Sequence, residues 1–220
     1  MKMKLNLVLC IVCIACLAGC TEPVKKTADD GWQSLFNGKD LTGWKASEKA
    51  GCFTVENGAI KVSNGRSHLF YVGPVENADF TDFEFTAQVM TTPGSNSGIY
   101  FHTEYQEKGW PKKGYESQVN ITHKDKQKSG GLYAAAPVDA VRISEVCAKD
   151  NEWYTQHIIV KGKHVEVKIN GQTVVDYTEA DNVNFEGWPG RRLSHGTFAL
   201  QGHDPKSVVY FKDIKVRAIK

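Results

Sequence analysis

The chain alternates where a helical protein would cycle. Stretches such as CFTVENGAIKV, SHLFYV, FEFTAQV, GIYFHTE, YESQVNI, TQHIIV, HVEVKIN, TVVDY, GTFALQG and VVYFKDIKV place apolar residues at every second position or in short runs bounded by turn residues. A period of two is the signature of strands whose faces meet different surroundings. Asn170-Gly171, between HVEVKI and QTVVDY, is the strongest hairpin signal. Helical periodicity is almost absent, and only residues 178–186 look loosely helical. This many short strands predict an all-β sandwich or jelly roll built as a single domain over residues 31–220.

Alternation also tells which side chains share a face. Glu84 opposes Phe83 and Phe85; Tyr100, His102 and Glu104 oppose Ile99, Phe101 and Thr103. Glu116, Gln118 and Asn120 oppose Tyr115, Ser117 and Val119, and Gln201 and His203 oppose Phe198, Leu200 and Gly202. If these strands share a sheet, their carboxylates, amides and imidazoles line one polar hollow. A neutral sugar calls for such a lining, because each buried hydroxyl must find a hydrogen-bond partner. Trp110, Tyr133, Trp153 and Trp188 would stack on sugar faces at the rim, whereas Trp32 and Trp44 are expected to pack. His157 and His164 flank a turn and read as surface residues.

The N-terminus assigns a location. Lys2 and Lys4 precede an apolar run, Leu5 to Leu17, that is too short to span a bilayer. Leu17-Ala18-Gly19-Cys20 has the form of a bacterial lipoprotein cleavage box, so residues 1–19 read as a signal peptide and Cys20 as the lipidation site. Residues 20–30 would be an acylated tether, with the protein lipid-anchored in the cell envelope, periplasmic or surface-exposed.

Charge and cysteine usage narrow the partners. The chain has 27 Lys and Arg against 25 Asp and Glu, and loss of Lys2 and Lys4 with the signal leaves an even balance. That neutrality argues against nucleic acid. Of the six cysteines, only Cys52 and Cys147 lie beyond the signal and lipid site, and they are open to either a disulfide or two separate thiols. No Cys-x-x-Cys pair remains for zinc. A divalent metal held by His102 and Glu104 with Glu116 or His203 is conceivable but unsupported by any motif, and no cofactor is required.

WQSLFNGKDLTGW at 32–44, then Asn96-Ser97-Gly98-Ile99, Tyr115-Glu116-Ser117-Gln118-Val119, Gly131-Leu132-Tyr133, Asn151-Glu152-Trp153 and Leu200-Gln201-Gly202-His203 follow one another in order. In this the chain resembles the 3-keto-disaccharide hydrolase family, formerly a domain of unknown function, through nearly the whole body. It departs from the family pattern at His102, at Asn120, and at Gly202, with Asp204 displaced by two from the usual acidic position. The resemblance implies a concanavalin-like jelly roll of two curved antiparallel sheets that cleaves 3-keto-glycosides.

A ketone at C3 acidifies the C2 hydrogen, so the C1 glycosidic bond can break by elimination, with water adding afterwards. On that reading His203 is the base or acid, Glu116 its partner, and His102 the enolate stabiliser or a second acid/base. Gln118, Gln201, Glu84, Glu104, Tyr133 and Asn96 would hold the oligosaccharide or glycoside. The roles can be permuted. No Gly-x-Gly-x-x-Gly run follows a strand and opens a helix, so a separate sugar oxidoreductase would have to make the ketone. Two other readings remain: a two-carboxylate glycosidase using Glu116 with Glu104 or Glu84, and a glycan-binding lipoprotein without catalysis.

Overall fold

The computed structural model describes residues 30–219. The signal, Cys20 and most of the tether lie outside the described residues. The strands are β1 (Gln33–Ser34), β2 (Trp44–Ala46), β3 (Phe53–Glu56), β4 (Ala59–Val62), β5 (Ser67–Tyr71), β6 (Phe83–Thr91) and β7 (Ser97–Thr103). They continue as β8 (Tyr115–Val119), β9 (Tyr154–Lys161), β10 (His164–Ile169), β11 (Gln172–Thr178), β12 (Thr197–Gly202) and β13 (Val209–Ala218). One sheet runs β11-β10-β9-β6-β13-β4-β3, with β1 also paired to β13; the other runs β2-β5-β12-β7-β8. The paired strands are antiparallel throughout, which makes a β-sandwich of the jelly-roll kind.

Alternation explains how the two sheets meet. Phe83, Phe85, Ala87 and Val89 of β6, Ile158 and Val160 of β9, and Val165 and Val167 of β10 share a buried core with Leu69, Ile99, Phe101, Tyr115, Phe198 and Leu200 of the five-stranded sheet. Phe198 is its aromatic centre, with ring centroids 4.8 Å from Phe80, 4.9 Å from Phe83 and 4.7 Å from Phe85. The β10–β11 turn has Asn170 at φ 49° and Gly171 at φ 79°, the left-handed pair that a two-residue hairpin needs.

The helix lies elsewhere than expected. Residues 178–186 start with the last residue of β11 and continue without a helix, while α1 covers Ala140–Glu145. Asp139 caps it by accepting from the Arg142 N–H at 2.9 Å. So short a helix has too few turns to write a 3.6-residue period into the sequence. Cys52 is buried and Cys147 exposed, and both are free thiols. Among the described residues no helix is long and apolar enough to cross a membrane.

Phe198→Ala should cost about 3–5 kcal/mol of unfolding free energy, because it leaves a hole where β12 of the five-stranded sheet packs on Phe80 and on Phe83 and Phe85 of β6. Urea denaturation followed by tryptophan fluorescence checks this; a loss under 1 kcal/mol would mean the sheets meet elsewhere.

Candidate active site

The outer face of the five-stranded sheet does not behave as a solvent face. Its side chains include His68 and Phe70 from β5, Ala199 and Gln201 from β12, Tyr100 from β7, and Glu116 and Gln118 from β8, and all are buried. Loops fold over it and close a pocket of about 230 Å³ lined by Asn96, Tyr100, Trp110, Glu116, Gln118, Asp125, Tyr133, Trp188, Gln201 and His203. The volume falls just below the roughly 300–1,000 Å³ of ordinary ligand pockets, which suits one small ring.

The floor is a hydrogen-bonded carboxylate. Glu116 Oε2 accepts from the Tyr100 hydroxyl at 2.7 Å, and Oε1 accepts from Gln201 Nε2 at 2.7 Å. The same Gln201 nitrogen lies 3.1 Å from the Tyr100 oxygen, so three side chains from adjacent strands form one network. Burial pushes the Glu116 carboxyl up, against the lowering effects of the Tyr100 hydroxyl, the Arg191 charge and the Gln201 amide. Burial, together with the Glu116 charge, also holds the Tyr100 hydroxyl well above its usual range. Gly98, paired with Gln118 on the β7–β8 ladder and diagonal to Glu116, leaves the room: a Cβ there would collide with the Glu116 carboxylate.

Two residues that line this pocket each keep a buried amide oxygen without a protein partner, Gln201 Oε1 and Asn96 Oδ1. Buried polar atoms are normally paired, so both invite donors from a ligand. Gln118 Oε1 accepts from the Val119 N–H at 3.3 Å, which leaves its amide N–H groups for another acceptor.

The wall is an imidazole with a carboxylate behind it. His203 Nδ1 lies 2.9 Å from Asp204 Oδ2, leaving Nε2 as the nitrogen able to take up a proton. Burial works to raise the Asp204 carboxyl, but hydrogen bonds from Ser207 and His203 and from the Lys206 N–H outweigh it and hold the group down at about 2. The displaced Asp204 is therefore the group that backs His203. His203 also packs against Trp110 and His123, at centroid distances of 5.5 and 5.7 Å. The loop carrying His123 and Asp125 is tied down by buried Lys128, whose Nζ donates to the carbonyls of His123 at 2.7 Å and Asp125 at 2.8 Å. Asn120 Nδ2 donates to the carbonyls of Asp125 at 3.1 Å and Gln127 at 2.8 Å, so it organises this loop and does not line the pocket.

Three expected site residues lie elsewhere. His102 has φ 54° and sits at a bulge, where β7 carries an extra residue against β12. One inserted residue inverts the alternation and turns the ring toward the core, against Phe83 and Phe101. There Nε2 lies 2.8 Å from the Thr81 carbonyl, Nδ1 accepts from the Ser194 N–H at 3.1 Å, and burial lowers the ring to about 4. Glu104, beyond the bulge, is exposed and pairs with Lys113 at 3.5 Å. Glu84 belongs to the other sheet, on its outer face, bound to His157 Nε2 at 3.0 Å and to Arg217. Trp153 is likewise away from the pocket, under Lys212 Nζ at 4.1 Å. These positions remove the His102–Glu104 metal arrangement and both carboxylate pairings proposed for a glycosidase. Among the described residues, no three His, Cys, Asp or Glu side chains gather as a metal site.

The structure adds residues that alternation alone did not select. Tyr100 was placed on the right face but reads as an ordinary aromatic. Asp125 lies in a loop without periodicity. His68 is fully buried, edge-on to Tyr100 and Trp110 at 5.5 Å each, and burial holds its ring neutral with a pKa of about 3. Arg191, also buried, lies 4.5 Å from the Trp188 ring and donates to the Tyr133 carbonyl at 2.8 Å.

The site is thus a small polar pocket with aromatic walls on the outer face of one sheet of a jelly-roll sandwich. The chain belongs to the 3-keto-alpha-glucoside-1,2-lyase-like domain family, a carbohydrate-active family whose model matches residues 31–217. Among solved structures it is similar to a candidate glycosyl hydrolase from Parabacteroides distasonis, with 24% identity and a TM-score of 0.70 over 86% of this chain and 94% of that one. A second such protein from the same organism has 21% identity and a TM-score of 0.64, over 86% of this chain and 99% of that one. The carbohydrate-binding module CBM66 from Bacillus subtilis has 14% identity and a TM-score of 0.53, over 80% of this chain and 96% of that one. At these identities the likeness is one of fold. No curated protein matches the chain in sequence.

The Asp204 carboxyl sits below its ordinary 3.8 in the folded state, so its contribution to stability is present above that value and disappears as pH falls toward about 2. Asp204→Asn should therefore be less stable than the parent near pH 6, with the gap closing between about pH 4 and pH 2. Denaturation midpoints across that range test this; parallel curves would contradict it.

Proposed function

We propose that the protein cleaves 3-keto-glycosides by abstracting the C2 proton and eliminating the C1 substituent. The observation that carries this reading is the His203–Asp204 pair on the wall of a pocket floored by Glu116, Tyr100 and Gln201. His203 Nε2 takes the C2 proton, and the freed electron pair forms a C2=C3 enolate with the charge on the C3 oxygen. Collapse of the enolate restores the ketone, forms a C1=C2 double bond and expels the C1 oxygen, which leaves as an alcohol after receiving the proton from His203. Water adding across C1=C2 makes the net change a hydrolysis.

Each pocket group has a part in this scheme. Asp204 and Glu116 stabilise the imidazolium formed when His203 takes the proton. The Gln118 amide N–H groups bind the C3 oxygen as charge develops there. Gln201 Oε1 and Asn96 Oδ1 accept from ring hydroxyls, and Tyr133 and Trp188 cover a ring face. A separate oxidoreductase supplies the ketone at C3, and the protein works in the bacterial envelope, tethered through Cys20.

His203→Ala should lower kcat on a 3-keto-glycoside by about 10²–10⁴-fold, the ordinary share of a placed acid/base group. Gln118→Ala should lower kcat by about 10²-fold or more with a smaller change in KM, because its donors act on charge that develops in the transition state. Steady-state kinetics decide: unchanged turnover in His203→Ala would overturn the assignment, and binding without turnover in the parent would make this a glycan-binding protein.

A further inference from the structure

Beside the pocket lies a second hollow of about 410 Å³, lined by Trp110, Lys112, Gly187, Trp188 and Pro189. It shares Trp110 and Trp188 with the first, so the two form one cleft divided by indoles. Their chemistry differs sharply. The first offers amides and carboxylates, whereas the second is two indoles, a proline ring and a glycine, with Lys112 the one charged side chain.

Both indoles are held in place. Trp188 lies against the Arg191 guanidinium at 4.5 Å, and Arg191 Nη1 is fixed to the Tyr133 carbonyl. The Trp110 loop is pinned by Gln106, whose Nε2 donates to the Lys108 and Trp110 carbonyls at 2.8 Å each and whose Oε1 accepts from the Lys112 N–H at 3.1 Å. A preset apolar slot binds a flat ring with little ordering cost.

We propose that this hollow receives the leaving group of the glycoside, and that the leaving group it selects is an apolar ring. The inference rests on the reading of the neighbouring pocket as the site of a 3-keto sugar. With the sugar ring over Glu116 and Gln201, the C1 substituent leaves the polar pocket along the indoles that the two hollows share. A second sugar would stack on an indole here but find Lys112 as the one polar side chain for its hydroxyls. A phenyl-type ring needs no such partners and gains contact with both indoles and Pro189.

The test uses the whole protein with methyl and benzyl 3-keto-glucosides of one anomer. The two alcohols are similar in acidity, so a difference in kcat/KM reports binding of the aglycone. The benzyl compound should be favoured about tenfold, equivalent to about 1.4 kcal/mol. Pro189→Asp, at an exposed position, should remove most of that preference. Equal rates for the two compounds, or an unchanged preference in Pro189→Asp, would overturn the proposal. Calorimetric titration with unoxidised methyl and benzyl glucosides provides the second arm. If neither keto compound is turned over, the elimination reading fails, while tighter binding of benzyl glucoside, lost in Pro189→Asp, would still establish the slot and equal binding would refute it.

Discussion

A carboxylate buried on the outside of a sheet is costly unless its oxygens are occupied, and the candidate site is organised around meeting that condition for Glu116. The Tyr100 hydroxyl and Gln201 Nε2 take one oxygen each, from strands β7 and β12. Their geometry requires the strand order β12-β7-β8, a β7 residue without a side chain at Gly98, and loops that keep water off the face. Losing the strand order or the open space at Gly98 would part the buried carboxylate from these donors. The same network fixes the Gln201 amide with Oε1 unpartnered, so the satisfied carboxylate and the waiting acceptor come from one arrangement.

The molecule divides its tasks between sheet and loops. The floor stands on three neighbouring strands and has little freedom, whereas His203, the proposed proton acceptor, sits just beyond β12. It gains its orientation from Asp204, itself held by Ser207 Oγ at 2.7 Å and the Lys206 N–H at 2.8 Å. A rigid binding floor with an oriented imidazole at its edge suits a reaction in which one proton must be taken from one ring carbon. The walls come from longer loops, each anchored by a polar residue: Gln106 for Trp110, Arg191 for Trp188 and Lys128 for Asp125.

Strand periodicity made much of this legible. The β6, β8 and β12 stretches have the alternation expected, and Glu116, Gln118, Gln201 and His203 meet as their shared faces required. The misses have local causes. Alternation assigns a residue to a face but not to a sheet, so Glu84 had the right polarity in the wrong layer. A single bulge inverted β7 after Phe101, sending His102 into the core, and nothing in HTE marks it, because the strain is carried by a histidine at positive φ and not by a glycine. Asp204 stands two residues from the acidic position of the family pattern, yet a turn brings its carboxylate to the imidazole beside it. Asp125 and Arg191 belong to loops, where no period places a side chain.

On the proposed reading the pocket removes a proton from C2 of a 3-keto sugar. Proton NMR in heavy water, with the protein and a 3-keto-glucoside beside its unoxidised counterpart, tests it most directly. The keto compound alone should be cleaved, with deuterium entering at C2 of the hydrated product. Cleavage of the unoxidised glucoside, or release of the aglycone with the C2 hydrogen fully retained, would contradict it.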